Sequence, residues 1–579
     1  MSWIFGKIGN ITTNDLSYFK SIHGTSIHLC KNGRLYLAAG GLRETCLSNL
    51  DENSSECKNS GWIACGLGIS INDSGDKFLA RTDWGTILSD NNTEFKNING
   101  HFVIAKWDGK QVCLYTDQLG LRDIYLTTFN NSTYFSTRMD WLARARGDCN
   151  INYEEFGSRW LLCNQLSTNS ILTNITRVAT GGVVVCTPNN FTIKETAWSP
   201  DSIVVTNKPV LPATLDRLAT FPMENGYKLN LSLSGGLDSR VLLSMLINNG
   251  NTNWRAYTFG DSQSPDVRVV KKIAVDFGFE LEYYNDPLPS TDQFLAGFRN
   301  YIGQTSVTAP ASMFLNLRYN LLAYKHNTIL SDGGFGEIVR RRYLNRLMMR
   351  GAEAVQTGDI KAVYPHLKVH RAAVFSPDIN HRMSSGALNQ LQYVWETLPP
   401  VKQYGLGNWL DLFAIRTRLP NFLGPEQTRL DGEVINYMPY AQPVFLNSVF
   451  PVPIALRNNG VLLRSLLNRN SRKLSRYPLA KGDITYPFGS TVMASWLWTK
   501  IKHTLGLNYR DSKRIRFLDS LSEYIQDLAD STSVRTAGCY DYPAVKKIIR
   551  QYYCGNKHLA GELDWWLSFE MWRQVVCGK

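Results

Sequence analysis

The residues best suited to chemistry lie in the segment Ser234-Gly-Gly-Leu-Asp-Ser239, between an apolar run ending at Leu233 and another that follows Arg240. Glycines let the backbone approach an anion, and the N–H groups and dipole at the start of a helix favour negative charge there. Ser234 and Ser239 add hydroxyl donors. Asp238 is a poor phosphate ligand alone, but a carboxylate can hold a Mg²⁺ ion that bridges phosphate oxygens. The segment therefore predicts a phosphate site formed by Ser234, Gly235, Gly236, Leu237, Asp238 and Ser239.

This loop lacks the Gly-Lys-Ser/Thr ending of the P-loop found in kinases and GTPases. The alternative to a phosphate site is an ordinary glycine-rich turn from a strand to a helix, in which the aspartate has no role. The exact hexapeptide, placed between a strand and a helix, favours the phosphate site.

The elements around the loop alternate between strand and helix. We predict strands at 228–234, 254–259 and 279–284, and helices that end before Gly250 and Gly278. A further apolar strand is predicted at 328–331, and the chain after about residue 290 is otherwise mostly helical. This alternation predicts a doubly wound parallel sheet with a helical extension.

The N-terminal part has a different pattern, with short apolar runs separated by Gly, Asn and Asp turns and few helical periods. A polar stretch with prolines at 200, 209 and 212 is the best candidate for a linker. We predict a β-rich domain at 1–200, a linker at 201–215 and a second domain at 216–579, so that the chain combines α+β and α/β classes.

Composition excludes several classes of protein. With 44% apolar residues in 579, the chain can bury sizeable cores, and it has no apolar run long enough to span a bilayer. Its start lacks the features of a signal peptide, which predicts a cytoplasmic protein without a membrane partner. The eleven cysteines include no Cys-x-x-Cys pair, so metal-site and disulfide frameworks have little support, and most cysteines are expected to be buried apolar residues.

The net charge of +13 is concentrated in one segment. Between Ile454 and Arg516, thirteen Lys or Arg residues face two Asp residues, a net +11. Such a segment attracts phosphates, nucleic acid or an acidic substrate. A solvated surface without a function is the alternative.

The hexapeptide resembles the Ser-Gly-Gly-x-Asp-Ser signature of the PP-loop ATP pyrophosphatases, and other motifs resemble the asparagine synthetase family within that group. In the N-terminal part, 1–6 is similar to the family's Met-Cys-Gly-Ile-Phe-Gly, 99–108 to its Gly-x-Phe-Ala-Phe-Ala-x-Trp-Asp strand, and 115–125 to its Arg-Asp-x-x-Gly-x-x-Pro-Leu-Tyr segment. The resemblance spans essentially the full chain and implies an Ntn-type glutaminase-like domain followed by a PP-loop synthetase domain.

In the C-terminal part, the resemblance implies roles for further residues. The segment ending in Phe259 and Gly260 takes the place of the strand whose end faces adenine, and Lys481 falls where the family places a lysine on the α-phosphate. The segment from Ile329 to Glu337, which contains Ser331, resembles the family's Leu-Ser-Gly-Glu-Gly-x-Asp-Glu loop. For Lys481, the alternative is one surface cation among thirteen.

Two departures from the family pattern limit what can be transferred. The family's nucleophilic cysteine is replaced by Ser2, and no Tyr-Asn-Gly-Glu-Ile-Tyr-Asn segment for glutamine is present, so the glutaminase half looks inactive. Gly333 and Gly336 occupy the positions of two family acids, which leaves Asp332 and Glu337 as the nearest carboxylates. Loop capping or a surface position is the alternative for both.

Together these residues predict an AMP-forming amide ligase that uses ATP and Mg²⁺. Lys481, Asp332 and Glu337 are the predicted catalytic residues, and Asp238 and Glu337 are the predicted metal ligands. The partners are a small-molecule or peptide carboxylate and an amine donor, with a homodimer or a biosynthetic partner protein as an open possibility. Alternatives are an intramolecular cyclase of the lasso-peptide or β-lactam synthetase kind, a tRNA-modifying enzyme, although nucleic acid fits the N-terminal half poorly, and a non-catalytic scaffold.

Overall fold

Short apolar strands separated by polar turns build the N-terminal part into two antiparallel sheets. The computed structural model describes residues 2–50, 59–72, 75–90, 95–206, 209–285, 287–341, 344–430, 432–505 and 512–578. The strands of this part are β1 (Trp3–Ile8), β2 (His28–Lys31), β3 (Leu35–Gly40), β4 (Cys46–Ser48), β5 (Gly61–Ser70), β6 (Lys77–Phe78), β7 (Asn99–Trp107), β8 (Val112–Thr116), β9 (Ile124–Phe129), β10 (Ser132–Ser136), β11 (Thr176–Val178), β12 (Gly182–Thr187) and β13 (Asn190–Glu195).

The two sheets pack face to face. One has the order β11-β9-β10-β1-β3-β2 and the other β13-β12-β8-β7-β5-β4, with β6 paired to β5. Alternate side chains of both sheets meet in one buried cluster that contains Ile4 and Phe135 from the first sheet and Val103 and Val184 from the second. The helices of this part are α1 (Thr13–His23), α2 (Arg81–Ser89), α3 (Met139–Arg146) and α4 (Tyr153–Leu161).

A parallel sheet of five strands forms the centre of the C-terminal part, in the order β16-β15-β14-β17-β18. Its strands are β14 (Lys228–Ser232), β15 (Trp254–Phe259), β16 (Leu281–Tyr284), β17 (Thr328–Ser331) and β18 (Asn436–Tyr437). Helices cover both faces, since Leu229 and Leu231 pack against α5 (Leu211–Glu224) and α6 (Leu237–Asn249), whereas Leu330 packs on the opposite side against α9 (Phe314–Ala323).

The prediction of a β-rich N-terminal part followed by a parallel sheet with helices is confirmed. Helix α7 (Pro265–Phe277) ends at Gly278, whose φ of +68° is the left-handed conformation that favours glycine. The remaining helices are α8 (Thr291–Ile302), α10 (Glu337–Arg340), α11 (Asn345–Arg350), α12 (Ala352–Thr357), α13 (Ile360–Leu367), α14 (Pro377–Thr397), α15 (Val401–Arg418), α16 (Gly424–Leu430), α17 (Pro443–Val449), α18 (Ile454–Arg457), α19 (Val461–Asn470), α20 (Val492–Thr504), α21 (Lys513–Ser520), α22 (Ser522–Asp530), α23 (Thr532–Arg535), α24 (Tyr542–Tyr553) and α25 (Ala560–Cys577). A hairpin of β19 (Leu479–Lys481) and β20 (Ile484–Tyr486) stands apart from the main sheet.

The two parts of the chain are packed tightly together. Helices α4 and α14 touch through glycines: a Cβ on Gly157 would lie 2.1 Å from the Met383 carbonyl oxygen, and one on Gly386 would lie 2.2 Å from that of Glu154. A disulfide joins Cys149 to Cys577, a pair 428 residues apart that no local cysteine spacing could reveal. Across the described ranges, no helix is both long and apolar enough to cross a membrane.

Candidate active site

The segment from Ser234 to Ser239 turns from the end of β14 into the first turn of α6, as predicted. The two serine hydroxyls lie 2.9 Å apart, and each accepts a backbone N–H: Ser239 Oγ from Ser234 at 3.1 Å and Ser234 Oγ from Gly236 at 3.2 Å. These internal hydrogen bonds fix the conformation of the loop. The same hydroxyls and N–H groups are the donors that an anion would meet.

Gly235 of this loop is needed for space. A Cβ on Gly235 would lie 2.7 Å from the Cβ of Ala480 and 2.9 Å from Asp266 Oδ1. Gly236 has an ordinary φ of −74° at the start of α6. Close approach of two neighbouring segments, and not a left-handed backbone, therefore explains why glycine stands at position 235.

Asp266, in the first turn of α7, is a site residue that the sequence analysis missed. Its Oδ1 accepts the Gly235 N–H at 2.7 Å, so a carboxylate already binds the backbone of the predicted phosphate loop. Burial raises the pKa of Asp266, and the bond from Gly235 and the charge of Arg240 oppose that rise. Its contact lies 31 residues away in sequence, and only its place after a Ser-Pro helix start could have drawn attention to it.

Arg240 fastens the loop to the hairpin of β19 and β20. Its fully buried guanidinium donates to the carbonyls of Gly235 at 2.8 Å, Tyr477 at 3.0 Å and Pro478 at 2.8 Å. The Ala480 N–H also donates to the Gly235 carbonyl, at 2.9 Å. Burial lowers the pKa of Arg240 to about 10, so the side chain stays charged at neutral pH. These bonds hold the hairpin against the loop and thereby position the backbone of Lys481, which follows Ala480.

One cavity of about 620 Å³ brings most of the predicted site residues together. It is lined by Ser234, Gly236, Leu237, Asp238, Ser239, Phe259, Asp332, Glu337 and Lys481. Three predicted residues lie outside its wall. Gly235 packs against Ala480 and Asp266. Ser331 is buried at the end of β17. Gly260 lines a second cavity of about 950 Å³ that adjoins the first at Phe259.

The two predicted metal ligands are each paired with an arginine. Arg340, on α10, forms an ion pair with Asp238, and Arg418 Nε lies 2.6 Å from Glu337 Oε1. In the part of the chain that the structure describes, no group of three or more His, Cys, Asp or Glu side chains is placed to hold a metal ion. The donor set therefore does not form a prepared metal site, and no step below is routed through a metal held by the protein.

Asp332 caps its own loop. It accepts the Gly334 N–H at 2.6 Å and the Asn436 side-chain N–H at 3.4 Å, and burial raises its pKa. This geometry is the loop-capping alternative considered for Asp332, although the residue also lines the cavity.

The glycines at the positions of the two family acids pack directly on the phosphate loop. A Cβ on Gly336 would lie 2.7 Å from Asp238 Cγ, and one on Gly333 would lie 3.0 Å from the Ser239 backbone nitrogen. Without movement, position 336 has no room for a carboxylate. The charge that faces Asp238 here is instead the guanidinium of Arg340.

Lys481 ends β19 at the wall of the cavity. Its side chain is exposed and forms no salt bridge with any residue in the described ranges. A flexible ammonium without an acidic partner is well suited to meet a phosphate. Arg340 and Lys481 thus both lie on the wall of one cavity. Arg340 is paired with Asp238, whereas Lys481 could contact a bound anion.

Ser2 lies in a different setting, inside the N-terminal sandwich. It is fully buried, its hydroxyl is hydrogen-bonded to that of Thr45, and its carbonyl accepts a bond from Arg122. The segment from Ala64 to Ser70, where the family pattern would place glutamine-binding groups, belongs to β5 and is paired with β7.

Comparisons with known proteins give no family. No protein-family model matches the sequence, and no curated protein matches it. Among solved structures, the chain is similar to glutamine phosphoribosylpyrophosphate amidotransferase from B. subtilis, complexed with ADP and GMP, with 9% identity, a TM-score of 0.22 and coverage of 58% of this chain and 77% of that one. It is also similar to the allosteric regulatory enzyme of purine biosynthesis, with 9% identity, a TM-score of 0.22 and coverage of 61% and 78%.

Proposed function

We propose that the chain is an ATP-dependent amide ligase of the asparagine synthetase type. It would join a carboxylate to an amine through an acyl-adenylate and release pyrophosphate and AMP. The observation that carries the proposal is that a single cavity is lined by the Ser234–Ser239 loop, the loop leading to Glu337, and Lys481.

The Ser234–Ser239 loop would hold the β- and γ-phosphates of ATP. Its hydroxyls and N–H groups now bond to each other and to Asp266, and a phosphate would replace these acceptors with stronger, charged ones. Arg340 supplies positive charge on the same wall. We treat Mg²⁺ as part of the MgATP substrate, and its contact with Asp238 and Glu337 remains a prediction.

In the first step, a substrate carboxylate oxygen attacks the α-phosphorus. A P–O bond to the carboxylate forms, the bond between the α-phosphorus and the bridging oxygen breaks, and that oxygen leaves with pyrophosphate. Negative charge builds on the transferring phosphoryl group, and Lys481 would neutralise it. Because Arg240 fixes the hairpin to the loop, the backbone that carries Lys481 is held beside the proposed pyrophosphate site.

In the second step, an amine attacks the acyl carbon and AMP leaves as the amide forms. The proton lost by nitrogen passes to solvent or to a cavity carboxylate. Glutamine would not be the nitrogen source, because Ser2 is sealed in the sandwich and is a weaker nucleophile than cysteine.

The larger adjoining cavity favours one variant of this function, an intramolecular cyclase that acts on a peptide. At about 950 Å³ it exceeds the space an amino acid needs, and Lys513, Arg514 and Arg516 line it beside Phe259, which it shares with the first cavity. Because Asp261, Asp266 and Asp483 line this cavity as well, its volume and not its charge favours a bulky substrate.

Product analysis tests the proposal. The purified protein is incubated with MgATP and a panel of amino acids and acidic peptides, with or without ammonia, and the nucleotide products are separated. We expect AMP and pyrophosphate that depend on a carboxylate, with an amide in the product. ADP and phosphate as the substrate-dependent products would contradict the proposal, as would a failure of MgATP to bind in a calorimeter.

A further inference from the structure

Helix α20 (Val492–Thr504) turns its polar side toward the protein and its apolar side toward solvent, the reverse of an ordinary surface helix. Its half-buried side chains are polar: Ser495, Thr499 and Lys502 face the body of the protein. Lys502 Nζ donates to the Thr485 carbonyl oxygen at 2.8 Å, which fastens this polar side to β20. The large apolar side chains face outward, namely Met493, Trp496, Leu497, Trp498, Ile501 and Leu505.

This exposure is concentrated. Of the eighteen large apolar side chains that are exposed in the described ranges, six lie in α20 and its last cap residue, and Trp496 is 60% exposed. Isolated apolar residues on a surface need no explanation, but a contiguous apolar face marks a site that something else covers. The apolar side of a surface helix ordinarily packs against the core, so an apolar side that faces outward is a candidate contact surface.

The edges of this face carry tryptophan and lysine together. With about 100° between successive residues, Trp496 and Trp498 lie at opposite edges of the outward arc, and Leu497 and Ile501 lie between them. Lys500 Nζ is 5.4 Å from the ring centre of Trp496, and Lys502 Nζ is 5.6 Å from that of Trp498. Tryptophans at the border and cations beside them are typical of helices that lie in the headgroup region of a bilayer.

Charge also favours a lipid surface. Helix α20 lies within the segment from Ile454 to Arg516, which carries a net +11. Lys500 lies within the apolar arc, so binding in a purely apolar protein groove would remove water from its ammonium group at a high cost in free energy. A bilayer with anionic lipids offers phosphates along the whole length of the helix and keeps the ammonium at the headgroup level.

We propose that α20 lies in the plane of an anionic membrane surface and attaches the chain to it peripherally. Met493, Leu497 and Ile501 would enter the boundary of the acyl chains, the two tryptophans would lie at the headgroups, and Lys500 would contact lipid phosphates. The attachment is independent of the chemistry in the cavity. It would replace the expectation of no membrane partner, which rested on the lack of a spanning apolar run and of signal-peptide features.

Vesicle co-sedimentation of the full chain tests this surface. We expect sedimentation with vesicles of phosphatidylglycerol and phosphatidylcholine, much less with phosphatidylcholine alone, and weaker binding at high salt. Trp496→Ser combined with Leu497→Ser should lower partitioning by more than about tenfold, because each exposed side chain would otherwise bury its apolar area in lipid. Val275→Ser, at an 82% exposed apolar residue outside α20, is the matched control and should change nothing.

Three results would overturn the proposal. They are no sedimentation with anionic vesicles, equal binding to both kinds of vesicle, and a double variant that binds as the parent does. Light scattering without lipid separates a second explanation, since a dimer that the double variant dissociates would show that another copy of the chain covers α20. Circular dichroism of the double variant checks that its fold is intact, which is expected because both replaced side chains are exposed.

Discussion

Two serine sites in this chain differ in what surrounds them. Ser2 is fully buried just before β1, and its hydrogen bonds go to Thr45 and Arg122 of the same N-terminal part. Ser234 and Ser239 lie at the end of a parallel strand, on the wall of a cavity of about 620 Å³. Sequence resemblance drew attention to both segments, although Ser2 replaces the cysteine of the pattern. Only the second gives a ligand room to exchange with the existing hydrogen bonds.

The difference follows from where each sheet architecture leaves its polar groups. In the packed sandwich, a polar group that is buried, such as the Ser2 hydroxyl, must be satisfied internally. In the parallel sheet, the carboxyl ends of β14 and β17 open at one edge, where the loops to α6 and α10 meet. Chemistry is therefore expected at the second place, and the predictions below test that contrast.

The largest effect is expected for Asp238→Ala. Asp238 is the only carboxylate of the Ser234–Ser239 loop, and it pairs with Arg340 in the cavity. Its loss should abolish substrate-dependent release of pyrophosphate, measured by a coupled phosphate assay. Asp530→Ala, at a half-exposed carboxylate that pairs with Lys546, is the control and should keep parental activity. Release that persists in Asp238→Ala would contradict the PP-loop assignment.

A smaller loss is expected for Lys481→Ala. The ammonium is proposed to act on charge that develops only in the transition state, so kcat should fall by roughly 10²-fold while KM for ATP changes little. Steady-state kinetics separate the two constants. A variant with near-parental kcat would move the role to another cation of the basic segment, with Arg476 as the nearest candidate in sequence.

Gly235→Ala should produce a weaker defect without removing any functional group. The added Cβ would meet Ala480 at 2.7 Å and Asp266 at 2.9 Å, and would push the hairpin that carries Lys481 away from the loop. We expect kcat to fall on the order of tenfold, because small misplacements of a catalytic group are costly. At Gly489, next to the same hairpin, an added Cβ would touch nothing within 4 Å, so Gly489→Ala is the matched control. Equal kinetics of the two variants would contradict the positioning argument.

Local sequence patterns predicted the part of the fold that depends on neighbours in the chain. The strand at Trp254–Phe259, the helix ending at Phe277 and the strand at Thr328–Ser331 follow from hydrophobic periodicity and from Gly278. Strand β18 was missed because two residues carry no periodicity. Asp266 and Arg240 were missed because their partners are distant, 237 residues away for Arg240 and Tyr477.

The predicted site shows the same limit. Motif matching selected residues that line one cavity, but it could not show that Asp238 and Glu337 each face an arginine. The sequence shows which residues are charged, but the packing of α6, α10 and α15 decides which charges meet. The predicted metal role of this pair depends on whether MgATP displaces those arginines.

The smallest effect, none, is expected for Ser2→Ala. The Ser2 hydroxyl is buried and bonded to Thr45, and a serine is far less nucleophilic than a cysteine at the same place. Incubation with glutamine, MgATP and candidate carboxylates should yield no glutamate above background. Amide formation by Ser2→Ala should equal that of the parent, with Thr45→Ala as a control for loss of the same hydrogen bond. Glutamate production that vanishes in Ser2→Ala but survives in Thr45→Ala would show a working glutaminase, and the contrast between the two serine sites would then be wrong.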